Sequence, residues 1–135
     1  MTSKPPEPPV IFLDESLDSD TVATALEGAG AKVERSTKNF PKGTPDETWL
    51  EAAGKHQWIV LTRDKRTRYR QLERKSLEEA GVRAFVFIGG NVTIKDTAST
   101  LVSALPRILK ISETNPGSFI YHIGLAGKPV KMNSP

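Results

Sequence analysis

Trp58-Ile59-Val60-Leu61-Thr62-Arg63-Asp64-Lys65-Arg66 is the stretch on which the reading of this chain turns. Four apolar residues, two of them β-branched, predict a buried strand, and the run then breaks into a threonine, an acid and several bases. A carboxylate just past the C-terminal end of a buried strand stands where open α/β sheets form their ligand crevices. Asp64 needs company to make a site, and two other acids repeat its setting: Asp14 closes the apolar run Val10-Ile11-Phe12-Leu13, and Asp46 opens a helical segment.

Working outward, the chain alternates strand and helix four times. Val10 to Leu13 is the first strand, followed by a helix that Asp18 or Ser19 can cap and whose apolar face is Val22, Ala25, Leu26 and Ala29. Ala31 to Arg35 gives a second strand, and Ser36 to Gly43 a polar loop. Thr44-Pro45-Asp46-Glu47 predicts a helix start, with Thr44 as N-cap, Pro45 in the first position and Glu47 completing a capping box. After the strand Trp58 to Thr62, a basic helix is expected from about Arg66 to Ala80, closed by Gly81. Arg83 to Ile88 is the fourth strand. A last helix starts at Thr93, and Pro106 within it predicts a kink or an early end. Phe119, Tyr121 and Ile123 alternate before Gly124 to Pro129, which predicts a C-terminal hairpin.

Such alternation predicts an α/β fold, a three-layer α/β/α sandwich around a mainly parallel four-stranded sheet in the order 2-1-3-4, with the hairpin appended. That order puts the topological switch between strands one and three, so Asp14 and Asp64 become neighbours. The expected organisation is a proline-rich tail over 1–9, an α/β domain over 10–111 and a C-terminal extension over 112–135 that holds the hairpin.

Composition narrows the chemistry. A length of 135 residues fits one domain with a substantial core. The absence of cysteine excludes a disulfide framework and any thiolate metal site, and a cytoplasmic location is the default. No apolar run approaches the roughly 20 residues that span a bilayer, so no membrane partner is expected. The net charge of +3 is unevenly distributed. Arg63, Lys65, Arg66, Arg68, Arg70, Arg74 and Lys75 crowd one stretch, while Asp14, Glu15, Asp18 and Asp20 crowd another. An acidic cluster beside a basic run suggests a metal ion next to a phosphate track, although a solvated helix face would also account for the bases. Three acids from three segments make an all-oxygen site, which suits Mg²⁺ or Mn²⁺ rather than zinc. His56 and His122 fit no metal-ligand spacing, and Gly89-Gly90-Asn91 lacks the remainder of a nucleotide fingerprint.

Phe12-Leu13-Asp14-Glu15, Thr44-Pro45-Asp46-Glu47-Thr48-Trp49-Leu50 and Ile59-Val60-Leu61-Thr62-Arg63-Asp64-Lys65, in that order, resemble a PIN-like domain. More narrowly, the chain is similar to the compact PIN-like ribonuclease toxins of toxin–antitoxin systems over about residues 10 to 110. The resemblance implies a metal-dependent endoribonuclease in which Asp14, Asp46 and Asp64 bind Mg²⁺ or Mn²⁺ and Thr62 orients water or an acid. Larger relatives carry a further glutamate on a helix that this chain lacks, and Glu15 is the available stand-in. Arg63, Lys65, Arg66, Arg68 and Arg70 would hold RNA phosphates. RNA and a cognate antitoxin protein are the implied partners, and a homodimer stays open. Two competing readings are a catalytically weak or inactive RNA- or partner-binding module on the same fold, and a phosphoacceptor signalling domain. Against the last, Arg63, Lys65 and Arg66 would crowd a phosphoryl-accepting Asp64 with cations.

Overall fold

The first strand shows how the core is divided. Ile11, Phe12 and Leu13 are all fully buried, as a parallel strand covered on both faces requires. Their side chains alternate: Ile11 and Leu13 pack with one apolar cluster, and Phe12 with another. The computed structural model of this chain describes residues 9–63, 78–115 and 117–131, and at Asp46 the backbone alone.

Strand β1 (Val10–Leu13) is followed by helix α1 (Asp20–Gly28), β2 (Lys32–Arg35), the single turn α2 (Ser36–Asn39), α3 (Asp46–His56) and β3 (Ile59–Arg63). Then come β4 (Arg83–Phe87), a long helix α4 (Ile94–Thr114), β5 (Phe119–Ile123) and β6 (Pro129–Lys131). One sheet holds all six strands in the order β2-β1-β3-β4-β5-β6. The first five run parallel and β6 pairs antiparallel to β5. The order 2-1-3-4 is as expected, and the fold is a three-layer α/β/α sandwich. The hairpin is present too, but β5 pairs along the whole of β4, so it extends the sheet instead of hanging from it. Helix α4 is the crossover that makes this parallel pairing possible. Phe85 sits 5.4 Å from Phe119 and 5.5 Å from Tyr121, which fixes the new strand beside the old.

Helices α1 and α4 cover one face with Val22, Leu26, Leu101, Leu105 and Ile108 over Ile59, Leu61, Phe85 and Phe87. Helix α3 covers the other with Trp49, Leu50 and Ala53 over Phe12, Val60, Ala84 and Val86. On that side the Phe12 ring is stacked between Trp49 at 5.7 Å and Trp58 at 5.0 Å. Gly54 lets α3 approach the segment ahead of β4, since a Cβ there would run into the Ala80 carbonyl oxygen.

Three local expectations are corrected. Thr44 caps no helix: its hydroxyl donates to Pro41 O at 2.6 Å, and Pro45 occupies the N-cap position of α3 without a side-chain bond. The capping box therefore does not form, because the turn at Pro41 already engages the threonine. Ser36 to Asn39 is one helical turn rather than open loop. Pro106 neither stops nor shortens α4, which runs on to Thr114. Leu105 and Ile108 are buried on either side of it, and at roughly 1.5–3 kcal/mol each they offset the ~3 kcal/mol cost of a proline inside a helix. The expected caps Ser19 and Thr93 do form, accepting from Val22 N and Asp96 N. Among the described residues, no helix is long and apolar enough to cross a membrane.

Candidate active site

Asp14 follows the last residue of β1 and is held there from three directions. Its backbone N–H donates to Leu61 O at 3.1 Å, which continues the pairing of β1 with β3 by one step. Its carbonyl accepts from Leu17 N at 2.8 Å and Asp18 N at 2.9 Å, which curls the chain into a turn before α1. Its side chain, with the residue only 7 % exposed, points to the end of β3. There Oδ2 accepts hydrogen bonds from Thr62 Oγ1 and Ser16 Oγ, each at 2.7 Å, and a longer one from Ser16 N at 3.4 Å.

Counting protons shows how firmly this carboxylate is oriented. Each hydroxyl has one proton, and both are directed at Asp14 Oδ2. The 3.2 Å approach of Ser16 Oγ to Thr62 Oγ1 is thus a contact between two oxygens that share one acceptor. Ser16 Oγ in turn accepts from Arg63 N at 3.0 Å, so the turn after β1 is bound to the end of β3. Thr62 is fully buried, which holds its hydroxyl in place. Asp14 Oδ1 accepts no hydrogen bond from a described residue, and no described cation pairs with the group. Burying a carboxylate without a cation is expensive, and two hydroxyl donors offset only part of that cost. A site that leaves one carboxylate oxygen free beside the C-terminal ends of two neighbouring strands fits a divalent cation.

The remaining expected acids are placed differently. Asp46 is the first residue of α3, as expected, and its side chain lies outside the described residues. Asp64 follows the last residue of β3 and also lies outside them, as do Lys65, Arg66, Arg68, Arg70 and most of the expected basic helix. Glu15 is exposed in the turn after Asp14. Among the described residues, no three His, Asp or Glu side chains converge as metal ligands would.

Arg63 turns toward the neighbouring strand and helix. Its guanidinium donates to Gly90 O at 3.0 Å and to Thr97 Oγ1 at 3.2 Å, and its Cζ lies 5.2 Å from the centre of the Phe87 ring. It ties the end of β3 to the first turn of α4.

A second acid supports the site from behind. Asp18 caps no helix, that task falling to Ser19; instead its side chain is fully buried. It accepts from Arg35 Nε at 2.6 Å, from Thr37 N at 2.8 Å and from Thr37 Oγ1 at 2.6 Å. Burial opposes its ionisation, but the bonds from Thr37 and Arg35 outweigh that, so its pKa lies below the ordinary 3.8. Because Asp18 N also donates to Asp14 O, this clamp fixes the turn that carries Ser16. Ser16, Arg35 and Thr37 were not singled out from the sequence. An Asp-x-Ser step after a strand was the available signal for Ser16. Arg35 and Thr37 carried none, since they meet Asp18 only across the β1–β2 pairing.

A family model described as a PIN like domain matches residues 9–89, from the start of β1 to just past β4. A Mycobacterium tuberculosis (strain ATCC 25618 / H37Rv) protein, provisionally named as the ribonuclease VapC45, is 24 % identical over 117 residues, covering 84 % of each chain. No solved structure matches this chain.

Proposed function

The chain belongs to the PIN-like domain family, and from that footing we propose that it is a divalent-metal-dependent endoribonuclease, the toxin of a toxin–antitoxin pair acting on cytoplasmic RNA. The observation that carries the proposal is the buried Asp14 carboxylate, one oxygen held by Ser16 and Thr62 and the other free, with no described cation to neutralise it. The name of the Mycobacterium tuberculosis relative supports the choice of ribonuclease.

In this reading Asp14 presents Oδ1 to Mg²⁺ or Mn²⁺, and Asp46 and Asp64 complete an oxygen-ligand set, with Glu15 as a further acid near its mouth. A bound ion of this kind stabilises charge on a phosphodiester and makes hydroxide available near neutral pH. Thr62 and Ser16 hold the Asp14 carboxylate in one orientation. Lys65, Arg66, Arg68 and Arg70 take flanking phosphates. Arg63 has two donors engaged with Gly90 and Thr97, which leaves less of its guanidinium for a phosphate. The cognate antitoxin would bind this chain and keep RNA out.

The test is to incubate the protein with total RNA and Mn²⁺, with and without EDTA, and to map new RNA ends. Cleavage that EDTA abolishes supports the proposal. RNA binding without cleavage would instead identify a non-catalytic binding module. Replacing Arg66, Arg68 and Arg70 with alanine should weaken RNA binding and flatten its salt dependence, because each phosphate contact releases counterions.

A further inference from the structure

A cleft of about 330 Å³ lies between the second half of α4 and the terminal strand, lined by Arg107, Lys110, Ile111, Lys128, Pro129 and Val130. It is about 20 Å further along α4 than Thr97, at about 1.5 Å per residue, and so is remote from Asp14. Its chemistry has two parts. Ile111, Pro129 and Val130 make an aliphatic floor, and Val130 is 63 % exposed although it is apolar. Arg107, Lys110 and Lys128 surround that floor, and none of their charged groups forms an ion pair or hydrogen bond with a described residue. Three like charges around an apolar surface repel one another until an anion arrives.

We propose that this cleft binds an acidic segment of a partner polypeptide, seating an apolar side chain on Ile111 and Val130 while flanking carboxylates meet Arg107, Lys110 and Lys128. Charge complementarity selects the occupant, and the floor decides between a peptide and a nucleic acid. Single-stranded nucleic acid is held on aromatic platforms, and among the described residues no aromatic side chain lines this cleft. An aliphatic floor ringed by cations matches an apolar anchor flanked by acids. The edge strand β6 offers little backbone for strand addition, because it is short and Pro129 has no N–H. Recognition must therefore run through side chains. The binding site stands whether or not the chain cleaves RNA.

The experiment is fluorescence polarisation on the full chain with a short fluorescein-labelled peptide of alternating glutamate and leucine. A glutamine–leucine peptide and an oligouridine serve as comparison probes. The acidic peptide should bind at low salt and weaken as salt rises. K110E combined with K128E should reduce its affinity about tenfold or more, and V130S should reduce it without changing the salt slope. Lys110, Lys128 and Val130 are all exposed, and circular dichroism verifies folding. Equal binding of the glutamine peptide, or unchanged affinity in K110E/K128E, would overturn the proposal. Oligouridine binding that is lost in K110E/K128E, while peptide binding persists, would make the cleft a nucleic-acid surface instead.

Discussion

Asp14 and Asp18 are four residues apart, both with shielded side chains, and the fold treats them in opposite ways. Asp18 receives a guanidinium, a hydroxyl and a backbone N–H, and both of its oxygens are used. Asp14 receives two hydroxyls and, at 3.4 Å, the Ser16 backbone N–H, all on one oxygen, and no described cation. An ionised group that only holds structure is neutralised where it is buried. Asp14, left without a described cation, is the acid of the pair on which the proposed metal site rests. The difference separates a clamp from a candidate ligand within one turn of chain.

The largest effect should come from Asp14→Asn. Metal-dependent cleavage should fall by more than about a hundredfold, since even partners of metal ligands cost 10–100-fold when lost. The unfolding midpoint without metal should stay level or rise, because an uncompensated buried charge is gone. Calorimetry beside a cleavage assay on the same samples checks both, and a destabilised Asp14→Asn variant with full activity would erase the contrast with Asp18.

Asp18→Asn should behave in the reverse sense. Removing the charge that faces Arg35 should cost about 2 kcal/mol of stability, below the usual cost of a fully buried pair because Arg35 is partly exposed. The folded pKa of Asp18 is depressed, so its contribution is fully present above its unfolded value of 3.8 and is lost as pH falls through the lower folded value. Denaturant midpoints of wild type and Asp18→Asn should therefore differ most above about pH 4 and converge in stronger acid. A gap that persists unchanged at pH 2 would mean that the clamp acts through packing and not through charge.

Ser16→Ala sharpens the contrast at the Asp14 end. One donor to the carboxylate disappears, which should cost about 1 kcal/mol without metal and reduce cleavage through misorientation. Added Mn²⁺ should raise the midpoint of wild type more than that of the variant, which differential scanning fluorimetry reads directly. The smallest effect belongs to Asp20→Ala. Asp20 reaches Arg35 at 2.7 Å, but its side chain is 92 % exposed, so the midpoint should barely move. A loss as large as that of Asp18→Asn would show that Arg35 is anchored from the surface.

Local pattern determined much of this protein by itself. The apolar runs at Ile11 to Leu13, Ile59 to Leu61 and Ala84 to Phe87 read as strands covered on both faces, and their alternation with helices led to the 2-1-3-4 order. Ser19 and Thr93 were legible as caps because a cap acts within three residues. Asp14 stood out as an acid closing a buried strand. Tertiary structure decided what depends on residues that are distant in the chain. Thr44 lost its capping role to a neighbouring turn, and burial on both sides of Pro106 carried the helix past it. Strand β5 joined the sheet because α4 returned it beside β4, a pairing that no local signal encodes. The distinct fates of Asp14 and Asp18 were hidden for the same reason. Thr62 lies 48 residues from Asp14, and Arg35 lies 17 from Asp18. Only the parallel pairing of β1 with β3 on one side and β2 on the other brings each partner within reach. Periodicity decides which face a residue occupies, but the charge it meets there depends on which strands become neighbours.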